Sequence, residues 1–433
     1  MEQMDRIKII GGNKLNGTIA ISGAKNASLP VMIASLLTSE TLTLENIPDL
    51  ADVKLLIRIL RSHGVEILSD SSYNDQNKSY SSTMHFRCRH IVDLTGSYDL
   101  VSKMRASFWV IGPLLAREGY ARISLPGGCA IGTRPVDLFV DSLKSLGVVI
   151  KIDGGYVDAR VSSKGLRGTS YTFPKVSVGA TQVMMMVASL SHGDTSIYNA
   201  AREPEVVDLA HCLNSMGAKI SGMGSSTITI QGVTSLSGTR HRILPDRIEA
   251  GTYAMAVAMT GGDVILKMTD SSLLKTVFKV MRQTGVDIDI IDEGIRVRWN
   301  GEKLRPVDVI TAPFPGFPTD LQAQFMAMMC CAAGISHITE TIFENRFMHV
   351  QELVRLGARI SLSGQTARVE GVQGLRGAPV MATDLRASVS LVIAALAAQG
   401  ETEISRVYHL DRGFECLEKK LSRCGALIQR IKG

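Results

Sequence analysis

One eight-residue phrase recurs six times and restricts the folds that this chain can adopt. Each copy contains Leu or Met, three further residues, Gly, then Ala or Val, one residue and Ile, and most copies are about 70 residues apart. The copies end at Ile67, Ile150, Ile220, Ile288, Ile360 and Ile428. Such a period indicates one supersecondary unit used repeatedly. We expect each Gly to end a helix in the left-handed conformation and each Ile to lie on the buried face of the next strand.

The residues before each phrase follow one order: a small-residue apolar helix, a short strand and an amphipathic helix. The first copy reads AKNASLPVMIASLL, TLTLEN and DVKLLIRILRSHG. Helices rich in Ala and Met on every face are usually buried. The units could stack as a protein-binding solenoid, or close in threes into two domains with a cleft between them. The length of 433 residues exceeds the ~250–300 residues of a single core, which favours two domains.

The amino-acid composition indicates which class of ligand the protein binds and in which cellular compartment it works. Charged residues are 20% of the chain, the net charge is +6 and the basic residues are scattered, which favours small anionic ligands over nucleic acid. Seven cysteines without paired spacing indicate a reducing compartment. The start MEQMDRIKII is not a secretory signal, and the apolar stretches 325–335 and 389–398 are too short to cross a membrane. We expect a cytoplasmic protein without membrane contact.

Motifs for common cofactors are missing from the sequence. It contains no P-loop, dinucleotide fingerprint or zinc-protease motif. His85, Cys88 and His90 lie in MHFRCRHIV, whose alternation predicts a strand and whose spacing fits no metal site. We therefore expect neither a cofactor nor a metal. The polar run 70–80, DSSYNDQNKSY, is expected to be a hairpin tip or an insertion.

The stretch LPGGCAIGTRPVDL carries a distinctive thiol. Cys129 follows Gly127 and Gly128, with Arg122 upstream and Arg134 downstream, in a loop whose glycines permit unusual backbone angles. Neighbouring positive charge favours a thiolate, so this thiol could donate a proton or attack an electrophile. Alone, the same residue could also be a small apolar side chain packed in a loop.

Polar residues stand at predicted helix starts and differ between the repeats, unlike the repeated surface of a binding scaffold. Helix N-termini carry free N–H groups and partial positive charge, so several of them with added cations would bind phosphates. For the aspartates, N-capping or support of a neighbouring Arg is the alternative. Asp320 follows the rigid turn FPGFP and could act as a base toward a hydroxyl. The residues are Lys25, Asn26, Arg105, Lys175, Asp246, Arg247, Asp320, Asp384, Arg386 and Arg412.

Motifs along essentially the whole chain resemble one enzyme family. PGGCAIGTRPVDL, SGAKN, MRAS, KVSVGA, AAREPE, LPDRIE, FPTDLQAQF, ENRFMHV, TDLRAS and YHLDRG together resemble the UDP-N-acetylglucosamine enolpyruvyl transferases. The resemblance implies an α/β fold of two inside-out α/β barrel domains, each of three βαβαββ repeats. It also implies a C-terminal domain of residues 1–24 plus 244–433 and an N-terminal domain of residues 25–243 that carries the Cys129 loop.

The resemblance further implies a reaction: transfer of the enolpyruvyl group of phosphoenolpyruvate to the 3-hydroxyl of UDP-N-acetylglucosamine, which releases phosphate and begins peptidoglycan synthesis. Cys129 is implied as the proton donor, able to form a covalent adduct, and Asp320 as the base, with Lys25 and Arg412 as further catalytic groups. The implied phosphoenolpyruvate ligands are Lys25, Asn26, Arg134, Arg386 and Arg412. The implied nucleotide-sugar ligands are Arg105, Arg134, Pro135, Val136, Asp137, Leu138, Lys175, Val176, Ser177, Val178, Gly179, Asp320 and Ile342.

Two alternatives stay open, and the resemblance implies no obligate protein partner. One is the related transferase acting on shikimate 3-phosphate, which lacks the Cys-bearing glycine loop. The other is a noncatalytic binding protein of the same fold, which would be expected to lose Cys129, Arg134 or Asp320.

Overall fold

The structure is a computed structural model that describes residues 5–74, 79–126 and 136–433. The expected site residues Cys129, Arg134 and Pro135 lie outside the described residues. The described chain divides into two compact units. The N-terminal unit contains residues 23–74, 79–126 and 136–244, and the C-terminal unit contains residues 5–22 and 245–433.

The strands of the described chain are short. They are β1 (Arg6–Ile10), β2 (Leu15–Ala20), β3 (Thr41–Ile47), β4 (Glu66–Asn74), β5 (Ser79–Arg87), β6 (Thr95–Gly96), β7 (Tyr120–Ser124), β8 (Val148–Asp153), β9 (Tyr156–Val161), β10 (Ser170–Thr172), β11 (Asp194–Tyr198), β12 (Lys219–Ser221), β13 (Thr227–Gln231), β14 (Thr239–Arg242), β15 (Gly262–Lys267), β16 (Asp287–Ile291), β17 (Gly294–Trp299), β18 (Val309–Ile310), β19 (Ile335–Thr339), β20 (Arg359–Ser363), β21 (Thr366–Glu370), β22 (Pro379–Met381), β23 (Glu401–Ser405) and β24 (Leu427–Ile431).

These strands form six four-stranded sheets within the described residues, and all six share one pattern. An edge strand pairs parallel with its neighbour, and the remaining pairs are antiparallel. The N-terminal unit has the orders β14-β3-β5-β4, β6-β7-β9-β8 and β10-β11-β13-β12. The C-terminal unit has the orders β16-β17-β15-β2, β18-β19-β21-β20 and β22-β23-β1-β24. The sequence repeat is therefore a structural repeat, three times in each unit.

Each repeat supplies one helix that is buried over most of its length. These helices are α1 (Lys25–Ile33), α4 (Ile111–Glu118), α6 (Val178–Ala188), α8 (Arg247–Thr260), α10 (Gln322–Met329) and α12 (Ala387–Ala397). In the C-terminal unit, α8, α10 and α12 contact one another pairwise. Each unit has its own hydrophobic core. Apolar helices inside with sheets around them are what the Ala- and Met-rich segments predict.

The second helix of each repeat is amphipathic and ends two residues before the glycine of the recurring phrase. These helices are α2 (Ala51–Ser62), α5 (Asp137–Ser145), α7 (Pro204–Ser215), α9 (Lys275–Gln283), α11 (Val350–Arg355) and α13 (Leu417–Arg423), and a short α3 (Tyr98–Val101) lies between them. The six glycines have φ from +91° to +106°, which confirms the expected left-handed helix ends.

Burial of the recurring phrase differs slightly from the expectation. Ile220 and Ile288 are buried, but the other four Ile residues are only half-buried. The Ala or Val two positions earlier is buried in every copy. The side chains of a strand alternate between its faces, so both positions face the core, and the one nearer the helix is covered more completely.

The polar insertion of the first repeat belongs to a hairpin, as expected. β4 and β5 pair antiparallel from Glu66 opposite Arg87 to Asn74 opposite Ser79, and the connecting residues 75–78 lie outside the described residues. His85 contacts Thr43 and Asp70 within this sheet. Among the described residues, no group of His, Cys, Asp and Glu side chains is suited to hold a metal. No described helix is long and apolar enough to span a membrane.

Candidate active site

Asp320 lies between two buried arginines in the C-terminal unit. It belongs to a 3-10 turn, Thr319–Leu321, that leads directly into α10. Its Oδ1 accepts a hydrogen bond from Arg346 Nη2 at 2.7 Å, and its Oδ2 accepts one from Arg386 Nε at 3.2 Å. The arginine side chains are 6% and 2% exposed, whereas the Asp320 side chain is 24% exposed. The carboxylate is therefore fixed by two cations and still reaches the surface of its unit.

Arg386 presents unused donors at the start of α12. Its main-chain N donates to Asp384 Oδ1 at 2.9 Å, and the next main-chain N donates to the same oxygen at 3.0 Å. Asp384 thus caps the helix and places Arg386, which matches the supporting role expected for it. Neither Nη atom of Arg386 has a hydrogen-bond partner among the described residues, although both are buried. A planar guanidinium with free Nη groups suits a carboxylate or a phosphate.

Asp246 has the structural role expected for an aspartate at a helix start. Its Oδ1 accepts from the main-chain N of Ile248 at 2.8 Å and of Glu249 at 3.0 Å. These are N-cap contacts at the first turn of α8. Asp246 therefore caps the N-terminus of α8.

The placement of Arg412 at a helix start is wrong. Arg412 ends the 3-10 helix Val407–Arg412, and Gly413 follows it. The YHLDRG segment therefore belongs to this 3-10 helix and does not open α13, which begins only at Leu417. The pKa of nearby His409 is lowered, first by burial and then by the positive charge of Arg412.

Sequence reasoning assigned no role to two residues of this region, Arg346 and His349. Arg346 lies within the motif ENRFMHV and pairs directly with Asp320. His349, in the same motif, is completely buried, and neither ring nitrogen has a hydrogen-bond partner among the described residues. Burial lowers its pKa to about 4; Asp384 opposes this shift and Arg346 adds to it. A neutral imidazole therefore lies next to this cluster at physiological pH.

In the N-terminal unit, Lys25 is a buried cation at the start of a helix. It is the first residue of α1 and is 7% exposed. Its Nζ lies 3.4 Å from Asp52 Oδ2, whose side chain is 5% exposed in the first turn of α2. Asn26 follows Lys25 in the same turn of helix. The sequence placed both residues at a helix start correctly.

Three segments expected to bind the nucleotide sugar come together in the N-terminal unit. Arg105 begins a 3-10 helix, Arg105–Val110, whose Trp109 packs on the first turn of α6. A Cβ on Gly179 would lie 2.8 Å from the Trp109 ring, so this close approach requires glycine. On the other side, Phe108 stacks edge-on against Phe139 of α5, with ring centroids 5.5 Å apart.

The starts of α5 and α6 carry the remaining residues of that set. Ser177 caps α6 by accepting from the main-chain N of Ala180 at 3.3 Å, and Lys175 is exposed just before it. Val176 is half-buried beside it, and Val178 begins the helix. Val136, Asp137 and Leu138 form the start of α5. In the C-terminal unit, Ile342 donates its main-chain N–H to Glu340 at 2.8 Å.

Arg122 lies on the outer face of its strand. It is on β7 with an exposed side chain, between the buried Ala121 and Ile123. Its guanidinium lies 4.9 Å from the centroid of the Tyr156 ring. Strand alternation therefore directs Arg122 away from the core face.

Comparisons with known proteins agree with this architecture. Residues 9–421 match the family model described as EPSP synthase (3-phosphoshikimate 1-carboxyvinyltransferase). UDP-N-acetylglucosamine 1-carboxyvinyltransferases from Rhizobium etli (strain CIAT 652) and Agrobacterium fabrum (strain C58 / ATCC 33970) are each 71% identical over 428 residues, which is 99% of this chain and 100% of theirs.

Solved structures show the same fold. The enolpyruvyl transferase NikO from Streptomyces tendae has a TM-score of 0.86 and 25% identity, with 99% of both chains covered. EPSP synthase from Acinetobacter baumannii has a TM-score of 0.74 and 18% identity, with 99% of this chain and 100% of that chain covered.

The fold and the comparisons define an enolpyruvyl transferase, and the fold expected from the sequence is confirmed. The chain belongs to the EPSP synthase (3-phosphoshikimate 1-carboxyvinyltransferase) family and, within it, to the UDP-N-acetylglucosamine 1-carboxyvinyltransferases.

Proposed function

We propose that this chain transfers the enolpyruvyl group of phosphoenolpyruvate to the 3-hydroxyl of UDP-N-acetylglucosamine and releases inorganic phosphate, as the first committed step of peptidoglycan synthesis in the cytoplasm. The observation that carries the choice of acceptor is 71% identity, over 99% of the chain, to transferases named for this nucleotide sugar. The likeness to EPSP synthase at 18% identity supports the fold alone.

Asp320 is the proposed base toward the sugar hydroxyl. A carboxylate can accept several hydrogen bonds, so Asp320 could accept one from a substrate hydroxyl while Arg346 and Arg386 hold it in place. Proton transfer to the carboxylate lets the sugar oxygen attack C2 of phosphoenolpyruvate. The two guanidinium groups fix the direction of the carboxylate, which is what a positioned base requires.

Cys129 is the proposed proton donor to the methylene carbon of phosphoenolpyruvate. Protonation of that carbon accompanies attack of the sugar oxygen at C2 and gives a tetrahedral intermediate. Loss of a proton from the new methyl group then expels phosphate and restores the double bond, so atoms and charges balance without a cofactor. After the thiol gives its proton to the methylene carbon, the resulting thiolate could instead bond to C2, so that one C–H bond and one C–S bond replace the π bond and a covalent adduct forms.

Phosphoenolpyruvate carries a phosphate and a carboxylate, and the proposed ligands are mostly cations. They are Lys25, Asn26, Arg134, Arg386 and Arg412. The buried Nη groups of Arg386 support this assignment because a desolvated donor pair gains most from an anion. Lys25 and Arg412 would also stabilise charge in the tetrahedral intermediate.

The nucleotide sugar is proposed to bind Arg105, residues 134–138, residues 175–179, Asp320 and Ile342. The capped start of α6 supports a diphosphate contact there, because its first N–H groups and helix dipole favour anions. The packing of Trp109 on Gly179 ties the Arg105 turn to the same helix start. We also propose that the two compact units are the two domains of the family fold.

Identification of the product tests this function. The chain is incubated with phosphoenolpyruvate and UDP-N-acetylglucosamine, and the recovered nucleotide sugar is analysed by mass spectrometry and proton NMR. Vinyl protons on a nucleotide sugar with an ether at the 3-position would support the proposal. Recovery of unmodified sugar under conditions where a characterised relative gives product would contradict it.

A further inference from the structure

Glu340 connects two segments of the C-terminal unit that belong to the proposed site. It follows β19 directly and is 1% exposed. Its Oε1 accepts from Thr311 Oγ1 at 3.0 Å and from the main-chain N atoms of Ile342 and Phe343 at 2.8 and 3.2 Å. Its Oε2 accepts from Thr319 Oγ1 at 2.8 Å. A buried carboxylate with this many donors is held in one orientation.

Thr319 passes this constraint on to Asp320. While its hydroxyl donates to Glu340, its Oγ1 accepts from Arg346 Nη1 at 2.8 Å. The Nη2 of the same guanidinium donates to Asp320 Oδ1 at 2.7 Å. A hydroxyl can donate one hydrogen bond and accept others, so Thr319 fits this relay. Rotation of the Arg346 guanidinium would break at least one of these two bonds.

The position equivalent to Glu340 has a different backbone conformation in four other repeats. The equivalent residue lies at the end of the strand that pairs with the parallel edge strand or directly after it, and it has left-handed φ at Asn46 (+61°), Asn199 (+53°), Met268 (+57°) and Arg406 (+58°). These positions and Glu340 are equivalent because in each case the preceding carbonyl accepts from the residue after the parallel edge strand. Glu340 does not adopt the left-handed conformation. Glu340, in the second repeat of the C-terminal unit, therefore departs from the backbone conformation that four other repeats share at this position.

We propose that Glu340 is a positioning residue for enolpyruvyl transfer. Through Thr319 and Arg346 it sets the orientation of the Asp320 carboxylate, and through the main-chain N–H of Ile342 it sets the segment assigned to the nucleotide sugar. This inference rests on the proposed function. A displaced base changes the chemical step more than substrate affinity, and an error of about 1 Å in such a site can cost on the order of 100-fold in rate.

Removal of the Thr319 hydroxyl tests the relay with little change in volume. Thr319→Val should lower kcat about 10- to 100-fold and leave KM for phosphoenolpyruvate within about threefold. Thr319→Ser, which restores the hydroxyl, should return kcat to within about threefold of wild type. Thr402→Val is the control, because Thr402 is a buried threonine of the same unit and its Oγ1 has no hydrogen-bond partner among the described residues.

Glu340→Gln tests whether Glu340 acts through Thr319. The amide oxygen can still accept from Ile342, but the amide nitrogen cannot accept from Thr319. Glu340→Gln alone should have a lowered kcat. The double variant Glu340→Gln/Thr319→Val should have a kcat no lower than that of Glu340→Gln, because both substitutions break the same hydrogen-bonded connection to Asp320. Melting temperatures and circular dichroism of all variants report folding.

The inference and the proposed function fail in different ways. Wild-type kcat in Thr319→Val, no recovery in Thr319→Ser, or multiplied losses in the double variant would overturn the inference while the wild-type reaction stands. Absence of any reaction in the wild type would overturn the proposed function, and the inference with it.

Discussion

Arg386 donates its Nε–H to Asp320 across 66 residues of sequence and so joins the starts of α10 and α12. The guanidinium is almost fully buried, and its two Nη groups have no hydrogen-bond partner among the described residues. A buried cation that satisfies a carboxylate on one side and keeps donors for an anion on the other is suited to hold a base beside an anionic substrate.

Replacement of Asp320 should remove the base and keep the fold. Asp320→Asn should lower kcat about 10² to 10⁴-fold, the usual contribution of a positioned acid or base. Asp263→Asn is the control, because Asp263 also pairs with an arginine, Arg296, but in a more exposed pair on a sheet. Steady-state kinetics would contradict the assignment if Asp320→Asn kept more than about a tenth of wild-type kcat.

Replacement of Arg386 should weaken phosphoenolpyruvate binding. Arg386→Lys keeps the charge but loses the planar donor set, so we expect KM for phosphoenolpyruvate to rise about tenfold or more. The exposed Arg359→Lys, on β20 of the same unit, should leave KM unchanged. An unchanged KM in Arg386→Lys would mean that its free donors do not meet this substrate.

We expect the thiol of Cys129 to act as the proton donor and also to be the group that thiol-directed inhibitors modify. Cys129→Ala should lose about 10² to 10⁴-fold in turnover, whereas Cys129→Asp should stay active because a carboxyl can also donate a proton. The Asp variant should resist thiol-directed epoxides such as fosfomycin. Turnover assays with and without the epoxide decide this, and inhibition of Cys129→Asp at wild-type potency would argue against Cys129 as the target.

Gly179 should not tolerate a side chain. In Gly179→Ala the new Cβ would approach the Trp109 ring to 2.8 Å, so the ring and the start of α6 must separate. We expect a loss of about 1–3 kcal/mol in stability, the usual effect of overpacking, and a higher KM for UDP-N-acetylglucosamine. Shortening the partner in Gly179→Ala/Trp109→Leu should recover part of the stability. Denaturant titration of both variants checks this, and wild-type behaviour of Gly179→Ala would contradict it.

His349 should make the C-terminal unit less stable in acid. Its pKa is lowered to about 4 in the folded chain by burial, whereas an unfolded histidine titrates near 6.5. Between these values the unfolded state binds more protons, so stability is complete above about pH 6.5 and falls as the pH falls toward 4. The contribution is at most about 1.4 kcal/mol for each pH unit.

A variant that lacks only His349 isolates this contribution. His349→Leu should show a shallower loss of stability than wild type in denaturant titrations at pH 7, 6 and 5. Equal slopes for the two proteins would show that His349 titrates normally in the folded chain.

The recurring phrase allowed much of the fold to be predicted. A glycine that follows an amphipathic helix can be placed from local backbone preference alone, because glycine adopts left-handed angles easily. Gly64, Gly285 and Gly425 all have the expected left-handed angles. Lys25 was placed at the start of its helix for the same kind of local reason.

The contacts of the site could not be predicted in this way. Arg346 and Asp320 are 26 residues apart and lie outside the α-helices and strands, and no periodic pattern relates them. Their approach depends on the register of β18 against β19, a long-range pairing. One signal was present for Glu340: an alignment of the six repeats places it where others have Asn46 and Asn199.

Phosphate release with different acceptors tests the central claim most directly. The chain is assayed with phosphoenolpyruvate plus UDP-N-acetylglucosamine, with each substrate alone, and with shikimate 3-phosphate as the acceptor. The account predicts phosphate release only when phosphoenolpyruvate and the nucleotide sugar are both present. Release only with shikimate 3-phosphate would contradict the acceptor while leaving the fold intact, and no release with either acceptor would contradict the assignment as a catalyst.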